Sequence, residues 1–254
     1  MLKITHNAGF FSCCNMKFLK TLNYFNTHKK LPESVDSSEQ FNMYKPTGLN
    51  GDITRHFFDK DTADDIIYSH PIELSLGPVY IDQESNYKLL NLKETLPFIN
   101  KYFIPTQDIL DLKNKLKEQY KIDTANCIAV YYRGTDKARE IAPTDFSVFY
   151  DKIKTLEGTQ ILVQTDSFSF LEYMKAQLPV ISFAENRVSK TNRGIHNENN
   201  RDTNYRDIKY LFATFLLMSE CKHLVMSSGN CSLWMTYYRG HVENIHQALT
   251  NVFF

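Results

Sequence analysis

Short apolar runs of strand-forming residues recur in the second half of the chain. They occupy 127–132, 160–165, 179–183, 223–227 and, more weakly, 242–246. Between them apolar residues follow helical spacing, as in the set Phe146, Phe149, Tyr150 and Ile153. Strands that are almost wholly apolar and alternate with amphipathic helices are typical of a parallel sheet covered on both faces. The pattern therefore predicts a Rossmann-type α/β domain over residues 121–254.

The first half has a less regular pattern. Helical spacing predicts helices over 16–25, 96–103 and 106–120, the last of them preceded by Pro105. Strands are predicted near Val35 and over 78–82. We expect a smaller α/β domain over residues 1–120.

Charge and cysteine usage exclude several classes of protein. The 254 residues carry 29 Lys and Arg against 29 Asp and Glu, so the formal charge is zero. General binders of nucleic acid or anionic membranes need a basic excess, whereas an anionic small molecule needs only a few local cations. The longest apolar run, 210–218, is shorter than the ~20 residues of a membrane span. Five cysteines without a CxxC pair or zinc-ligand spacing predict reduced thiols in a soluble cytoplasmic protein.

One long polar segment, 185–206, interrupts the second half. It carries five cations among many asparagines, namely Arg187, Lys190, Arg193, Arg201 and Arg206, with Gly194-Ile195-His196 in the middle. Long loops between a strand and a helix are often functional. A loop that covers a ligand and plain solvated surface are both consistent with this composition.

The first polar cluster, Arg133-Gly134-Thr135-Asp136, directly follows the apolar run 127–132. An arginine at a strand end, followed by glycine, allows the guanidinium and nearby backbone N–H groups to converge on one phosphate. Asp136 would then orient the guanidinium. A charged turn that makes surface ion pairs has the same composition, so both interpretations stay open.

Two further clusters follow strands. Asp166-Ser167 follows the predicted strand 160–165. Two roles are open: the Asp166 carboxylate binds a ribose or a base, or one of the two residues caps the next helix. Residues 227–232 place serines and Gly229 at a helix start, where backbone N–H groups and the helix dipole favour an anion. Capping by Ser228 or Asn230 is the alternative.

Taken together, the three clusters suit a nucleotide diphosphate better than three unrelated caps, because strand ends of one parallel sheet meet at one edge. The absence of GxGxxG and GxxxxGK[ST] disfavours dinucleotide oxidoreductases and P-loop NTPases. The acidic cluster Asp61, Asp64 and Asp65 is interpreted as a solvated helix start, and no metal site is predicted.

At this point the sequence resembles a known family. Residues 130–137 are similar to the H-x-R-R-x-D motif of the α1,2-, α1,6- and protein O-fucosyltransferases, a superfamily that includes the rhizobial nodulation-factor fucosyltransferases. Thr165-Asp166-Ser167 is similar to the second motif, and residues 207–234 are similar to the third. Gly9-Phe-Phe-Ser12 is compatible with the early loop of such enzymes. The resemblance extends over residues 121–240.

The resemblance implies a GT-B-like α/β fold, with two Rossmann-type domains and a central cleft. Domain 1–120 would be the acceptor side and domain 121–254 the donor side. The implied activity is transfer of fucose from GDP-fucose, with inversion, to a hydroxyl of a glycan or other acceptor. It needs no cofactor and no metal. The alternatives are a noncatalytic nucleotide-sugar-binding module, another GDP-sugar-dependent transferase, or a different nucleotide-dependent enzyme such as a hydrolase or sulfotransferase.

The family also implies roles for individual residues. Arg133 would bind the β-phosphate and stabilise the departing GDP, while Asp136 would orient it. The remaining donor-binding residues would be Asp166 and Ser167 at the guanine or ribose, and Ser227, Ser228, Gly229, Asn230 and Ser232 at the diphosphate. Glu140 lies near the place of the general base in the α1,6 branch, displaced by one position.

The sequence departs from the first motif at two positions. The histidine of the motif is Tyr131 or Tyr132 here, and its second arginine is Gly134.

Overall fold

The computed structural model describes residues 1–59, 86–136, 142–191 and 193–253. The predicted strand 78–82, the acidic cluster 61–65 and Glu140 lie outside the described residues. In the described part of the chain, no helix is long and apolar enough to cross a membrane.

The first half begins with a β–α–β unit. Strands β1 (Leu2–His6) and β2 (Val35–Gln40) pair in parallel and are connected by helix α1 (Phe10–His28). Helix α1 begins at Phe10 rather than near residue 16. Residues 10–12, which the resemblance places in an early loop, form its first turn and bury Phe10 and Phe11 in the core.

Two further helices complete the described part of the first half. They are α2 (Leu92–Tyr102) and α3 (Gln107–Gln119). The predicted helix 96–103 begins earlier, at Leu92, because the side chain of Asn91 caps it by accepting a hydrogen bond from the Glu94 N–H.

The second half contains most of the described strands. In chain order they are β3 (Cys127–Tyr132), α4 (Phe146–Lys154), β4 (Gln160–Thr165), α5 (Phe168–Gln177), β5 (Val180–Ile181), α6 (Arg201–Ser219), β6 (His223–Ser227), α7 (Asn230–Arg239), β7 (Ile245–Leu249) and β8 (Val252–Phe253). They form one sheet in the order β5-β4-β3-β6-β7-β8, in which only the β7–β8 pair is antiparallel. The predicted α/β chain with a mostly parallel sheet is confirmed.

The last predicted strand, 242–246, is displaced. Strand β7 begins at Ile245, because α7 ends at Arg239, Gly240 caps it in the left-handed conformation, and a turn follows. That turn includes Asn244, which has a φ of 56°.

Helices cover both faces of the sheet. On β3, Ile128, Val130 and Tyr132 pack with α4 and α5, whereas Ala129 and Tyr131 face the opposite core with α6 and α7. A strand buried on both faces accounts for the unbroken apolar run 127–132. The α6–α7 core continues into the first half, where Phe11 contacts Phe212 and Trp234. Two Rossmann-type domains, divided near residue 120, stay a prediction.

The strand order places a crevice at one edge of the sheet. From β3 the chain continues to β4 and β5 on one side, whereas β6 and β7 lie on the other side, so the order reverses between β3 and β6. In open parallel sheets, ligands bind at such a reversal, outside the carboxyl ends of the strands. Arg133 follows β3 at this position.

Candidate functional site

A cavity of about 540 Å³ lies at the carboxyl ends of β3, β4 and β6. Arg133, Asp166 and Gly229 line it from these strand ends. The other walls come from the first turn of α1, the loop at 195–197 and the first turns of α6. The cavity therefore joins the predicted donor side of the sheet to the beginning of α1 in the first half.

Arg133 is held in the cavity wall by two carboxylates. Its Nε lies 2.9 Å from Oδ2 of Asp166, and its Nη2 lies 2.5 Å from Oδ1 of Asp136. Burial opposes the charge of Arg133, but Asp166 and the other anionic neighbours raise the pKa of the guanidinium well above its usual value. Burial also disfavours the Asp136 anion, yet Arg133 lowers the pKa of that carboxyl. Both groups are therefore charged at neutral pH.

Asp166 orders the turn that follows β3. Its Oδ1 accepts a hydrogen bond from the Gly134 N–H at 2.7 Å, and its Oδ2 accepts one from the Thr135 hydroxyl at 2.7 Å. Together with the ion pair to Arg133, these bonds engage both carboxylate oxygens. The neighbouring Ser167 caps α5 by accepting a hydrogen bond from the Phe170 N–H at 3.3 Å. Nucleotide contacts of Asp166 and Ser167 stay predictions.

The serines after β6 are occupied by protein partners. Ser227 accepts a hydrogen bond from the Arg133 N–H at 2.9 Å, and Ser228 donates its hydroxyl to the Ala248 carbonyl at 2.8 Å. Ser232 donates its hydroxyl to the Ser227 carbonyl at 2.5 Å. These three serines are not among the residues that line the cavity, and their contact with a diphosphate stays a prediction.

Gly229 and Asn230 do line the cavity, at the start of α7. Gly229 has a φ of 155°, a conformation that side-chain-bearing residues rarely adopt. Its N–H donates to the hydroxyl of Tyr87 at 2.9 Å. The side-chain oxygen of Asn230 is buried without a hydrogen-bond partner among the described residues.

Two helices begin at this cavity. The first turns of α1 and α7 both line it, and neither first turn contains an acidic residue. Helix N-termini present free backbone N–H groups and a positive dipole end, which favour an anionic ligand. The sequence predicts an anion site at the start of α7. At the start of α1 it indicates only a segment compatible with the early loop of the family.

The polar segment 185–206 contributes groups that the sequence did not single out as site residues. His196 lines the cavity, and burial together with Arg133 lowers the pKa of its imidazole. Asn204 positions this loop by donating its amide to the carbonyls of His196 and Met43, at 2.8 and 3.1 Å. Residues of this segment line the cavity, whereas a role in covering a ligand stays a prediction. The composition of the segment does not indicate which of its side chains face the cavity.

In the described lining of the cavity, aspartates outnumber arginines. Arg133 and Arg187 face three aspartates, Asp136, Asp166 and Asp207. Arg187 is 3.5 Å from Asp207, so both arginines are paired. Within the described ranges, no group of three or more His, Cys, Asp or Glu is arranged to hold a metal ion.

Gly134 occupies a place with no room for a side chain. A Cβ built there would lie 2.6 Å from Cε1 of Tyr132 and 2.9 Å from Cβ of Ser167. The Tyr132 ring is fixed by stacking on Phe170, with centroids 4.3 Å apart. The fixed Tyr132 ring therefore requires a residue without a side chain at position 134.

We expect Gly134→Ala to lower the free energy of unfolding by about 1–3 kcal/mol, the usual cost of overpacking a buried site. Chemical denaturation of both proteins measures this difference. Gly9→Ala is the matched control, because a Cβ at Gly9 has nothing within 4 Å and this change should be nearly neutral. Equal stability of the two variants would contradict the steric account of Gly134.

Comparisons with known proteins give a limited result. No protein-family model matches the sequence, and no curated protein matches it. Among solved structures, the chain is similar to the NodZ alpha-1,6-fucosyltransferase soaked with GDP-fucose, with 14% identity, a TM-score of 0.43, and coverage of 62% of this chain and 49% of that chain. For the same enzyme co-crystallised with GDP, the identity is 15%, the TM-score 0.45, and the coverage 64% and 51%. The chain spans about half the length of the structures it matches.

Proposed function

We propose that the protein is a glycosyltransferase that binds GDP-fucose in the cavity at the carboxyl ends of β3, β4 and β6. Its acceptor would be a hydroxyl of a glycan or a similar molecule. The observation that carries this proposal is the position of Arg133. The charged Arg133 side chain is 27% exposed and lines the same cavity as the first turns of α1 and α7. The motif resemblance over 130–137, 165–167 and 207–234 supports GDP-fucose as the donor.

The chemistry of sugar transfer suits this arrangement. Breaking the bond between the fucose C1 and the β-phosphate oxygen leaves negative charge on GDP. A guanidinium and helix N–H groups stabilise that charge without a metal ion. The acceptor oxygen bonds to C1 from the opposite face and releases its proton to a base, which gives inversion. Glu140, to which the resemblance gives the role of base, lies outside the described residues.

In this proposal the two halves of the chain contact different substrates. Residues 121–254 supply Arg133, Asp136 and Asp166, which we assign to the donor. Residues 1–120 supply the first turn of α1 and the side chain of Tyr44, which we assign to the side that the acceptor approaches.

A noncatalytic nucleotide-sugar-binding module is the second candidate. It is favoured by the pairing of Arg133 with two carboxylates and by the absence of the second motif arginine at Gly134. The two candidates differ in one measurable property. A transferase releases GDP from GDP-fucose when a pooled glycan acceptor is added, whereas a binding module retains the donor intact.

A thermal-shift panel tests the donor class. It compares GDP-fucose, GDP, GDP-mannose, UDP-sugars and adenosine phosphates at equal concentrations. A ligand at 100 times its Kd stabilises the folded state by about 2.7 kcal/mol, which raises the Tm by about 5–10 °C in a protein of this size. We expect this shift with guanine nucleotides only. A panel in which no guanine nucleotide raises the Tm would exclude the proposed donor.

A further inference from the structure

Asn186 lies in the loop after β5 and lines the cavity. Its side-chain N–H₂ donates to Oε1 of Gln164 at 2.7 Å and to the Thr214 hydroxyl at 2.8 Å. Gln164 donates its own amide to the Thr165 carbonyl, and Thr214 donates its hydroxyl to the Tyr210 carbonyl. Because both partners are thereby left as acceptors, the network fixes the orientation of the Asn186 amide and uses both of its N–H bonds.

The side-chain oxygen of Asn186 is left over. It is buried and has no hydrogen-bond partner among the described residues. An unpaired buried acceptor is costly in a folded protein, and such groups are commonly found where a ligand or water completes the bond. Ile208 and Leu211 also line the cavity and are apolar, so they offer this oxygen no donor. A ligand that carries a donor to the oxygen would complete the hydrogen bond.

The other candidate for base recognition is already engaged. The resemblance assigns guanine or ribose to Asp166, but that carboxylate holds Arg133, Gly134 and Thr135. Asn186 and Asn230 both line the cavity with an unpartnered side-chain oxygen, and of these two only Asn186 has its amide oriented by hydrogen bonds to Gln164 and Thr214.

We propose that Asn186 is a specificity-determining residue, whose side-chain oxygen accepts a hydrogen bond from the N1–H or the 2-amino group of guanine. The inference rests on the proposed function, because it takes a guanine nucleotide as the ligand. Guanine presents these two neighbouring donors on the edge of its ring that carries N1 and C2. Adenine presents an acceptor at N1 and a C–H at C2, so a fixed acceptor facing adenine would leave its hydrogen bond unmade. A site built around one hydrogen bond discriminates strongly against a ligand that lacks the matching group.

Calorimetric Kd values for GDP and ADP, measured on the full chain, test the assignment. We expect the wild-type protein to prefer GDP by about 100-fold or more. Asn186→Leu should weaken GDP binding by about 10–100-fold, the effect of one lost hydrogen bond with its desolvation, while changing the ADP Kd less than about 3-fold. Thr214→Val is the matched control, since it removes one anchor while the hydrogen bond to Gln164 still orients the Asn186 amide and the oxygen is kept. Its GDP-to-ADP ratio should stay close to the wild-type value.

A variant that weakens GDP and ADP equally would overturn the inference, because the oxygen would then contact the shared ribose or phosphates. An unchanged GDP Kd in Asn186→Leu would overturn it as well. Asn186→Ala gives the same comparison if the leucine variant does not fold by circular dichroism. If the wild-type protein binds no guanine nucleotide, the proposed function itself fails. If it binds GDP and the ratio does not respond to Asn186, only this assignment fails.

Discussion

Arg133→Ala is expected to slow GDP release from GDP-fucose by a factor of about 10²–10³, the usual effect of removing one group that stabilises developing charge. The protein should lose stability, since the buried Asp166 carboxylate loses its ion pair, but remain folded because Asp166 keeps its hydrogen bonds to Gly134 and Thr135. The measurement is a coupled assay of GDP in the presence of pooled glycan acceptors, together with the Tm of each protein.

Arg206→Ala is the matched control for this variant. Arg206 also pairs with a carboxylate, that of Asp207, but its side chain is 65% exposed and it does not line the cavity. Its loss should change the rate by less than about 3-fold, since exposed ion pairs contribute little. Full activity of Arg133→Ala, or equal loss in both variants, would contradict the role given to Arg133.

Asp166→Ala should be the most destabilising single change in the site. Asp166 is 7% exposed, and its removal leaves the guanidinium of Arg133, the Gly134 N–H and the Thr135 hydroxyl without their acceptor. Removing one partner of a largely buried pair typically costs about 3–5 kcal/mol, and the partial exposure of Arg133 places this change near the lower end. Guanidinium chloride unfolding measures the loss, and nucleotide binding should disappear with it.

Asp136→Ala provides the comparison. Asp136 pairs with the same guanidinium, but its side chain is 28% exposed, so water can replace part of the lost contact. We expect it to destabilise the protein by about 1 kcal/mol. If both aspartate variants unfold at the same denaturant concentration, Asp166 does not order the turn after β3 in the way described.

Much of the second half could be predicted from the sequence, because a parallel sheet buried on both faces leaves an unmistakable pattern. The run 127–132 is apolar at every position, and each of its side chains is buried in one of the two cores. Arg133 and Asp136 could be assigned to one site because they are three residues apart at a strand end. Asp166 could join them because parallel neighbouring strands end at the same edge.

The rest of the site depends on contacts that no local pattern encodes. Asn186 owes its orientation to Gln164 on β4 and Thr214 on α6, which are 22 and 28 residues away in the chain. In the sequence, His196 is one of many polar residues in its segment. Its place in the cavity lining depends on tertiary contacts such as the hydrogen bond from the Asn204 amide to its carbonyl. The serines over 227–232 show the same limit. Their small hydroxyls indicate an anion site, but no local pattern shows that Ser228 and Ser232 donate to backbone carbonyls. Their contact with a diphosphate stays a prediction.

A crystal structure of the protein grown with GDP tests the central claim most directly. We predict that the β-phosphate lies within hydrogen-bond distance, about 2.7–3.2 Å, of the Arg133 guanidinium, in the cavity lined by the first turns of α1 and α7. A nucleotide bound elsewhere on the molecule, with Arg133 still holding only Asp136 and Asp166, would contradict the account.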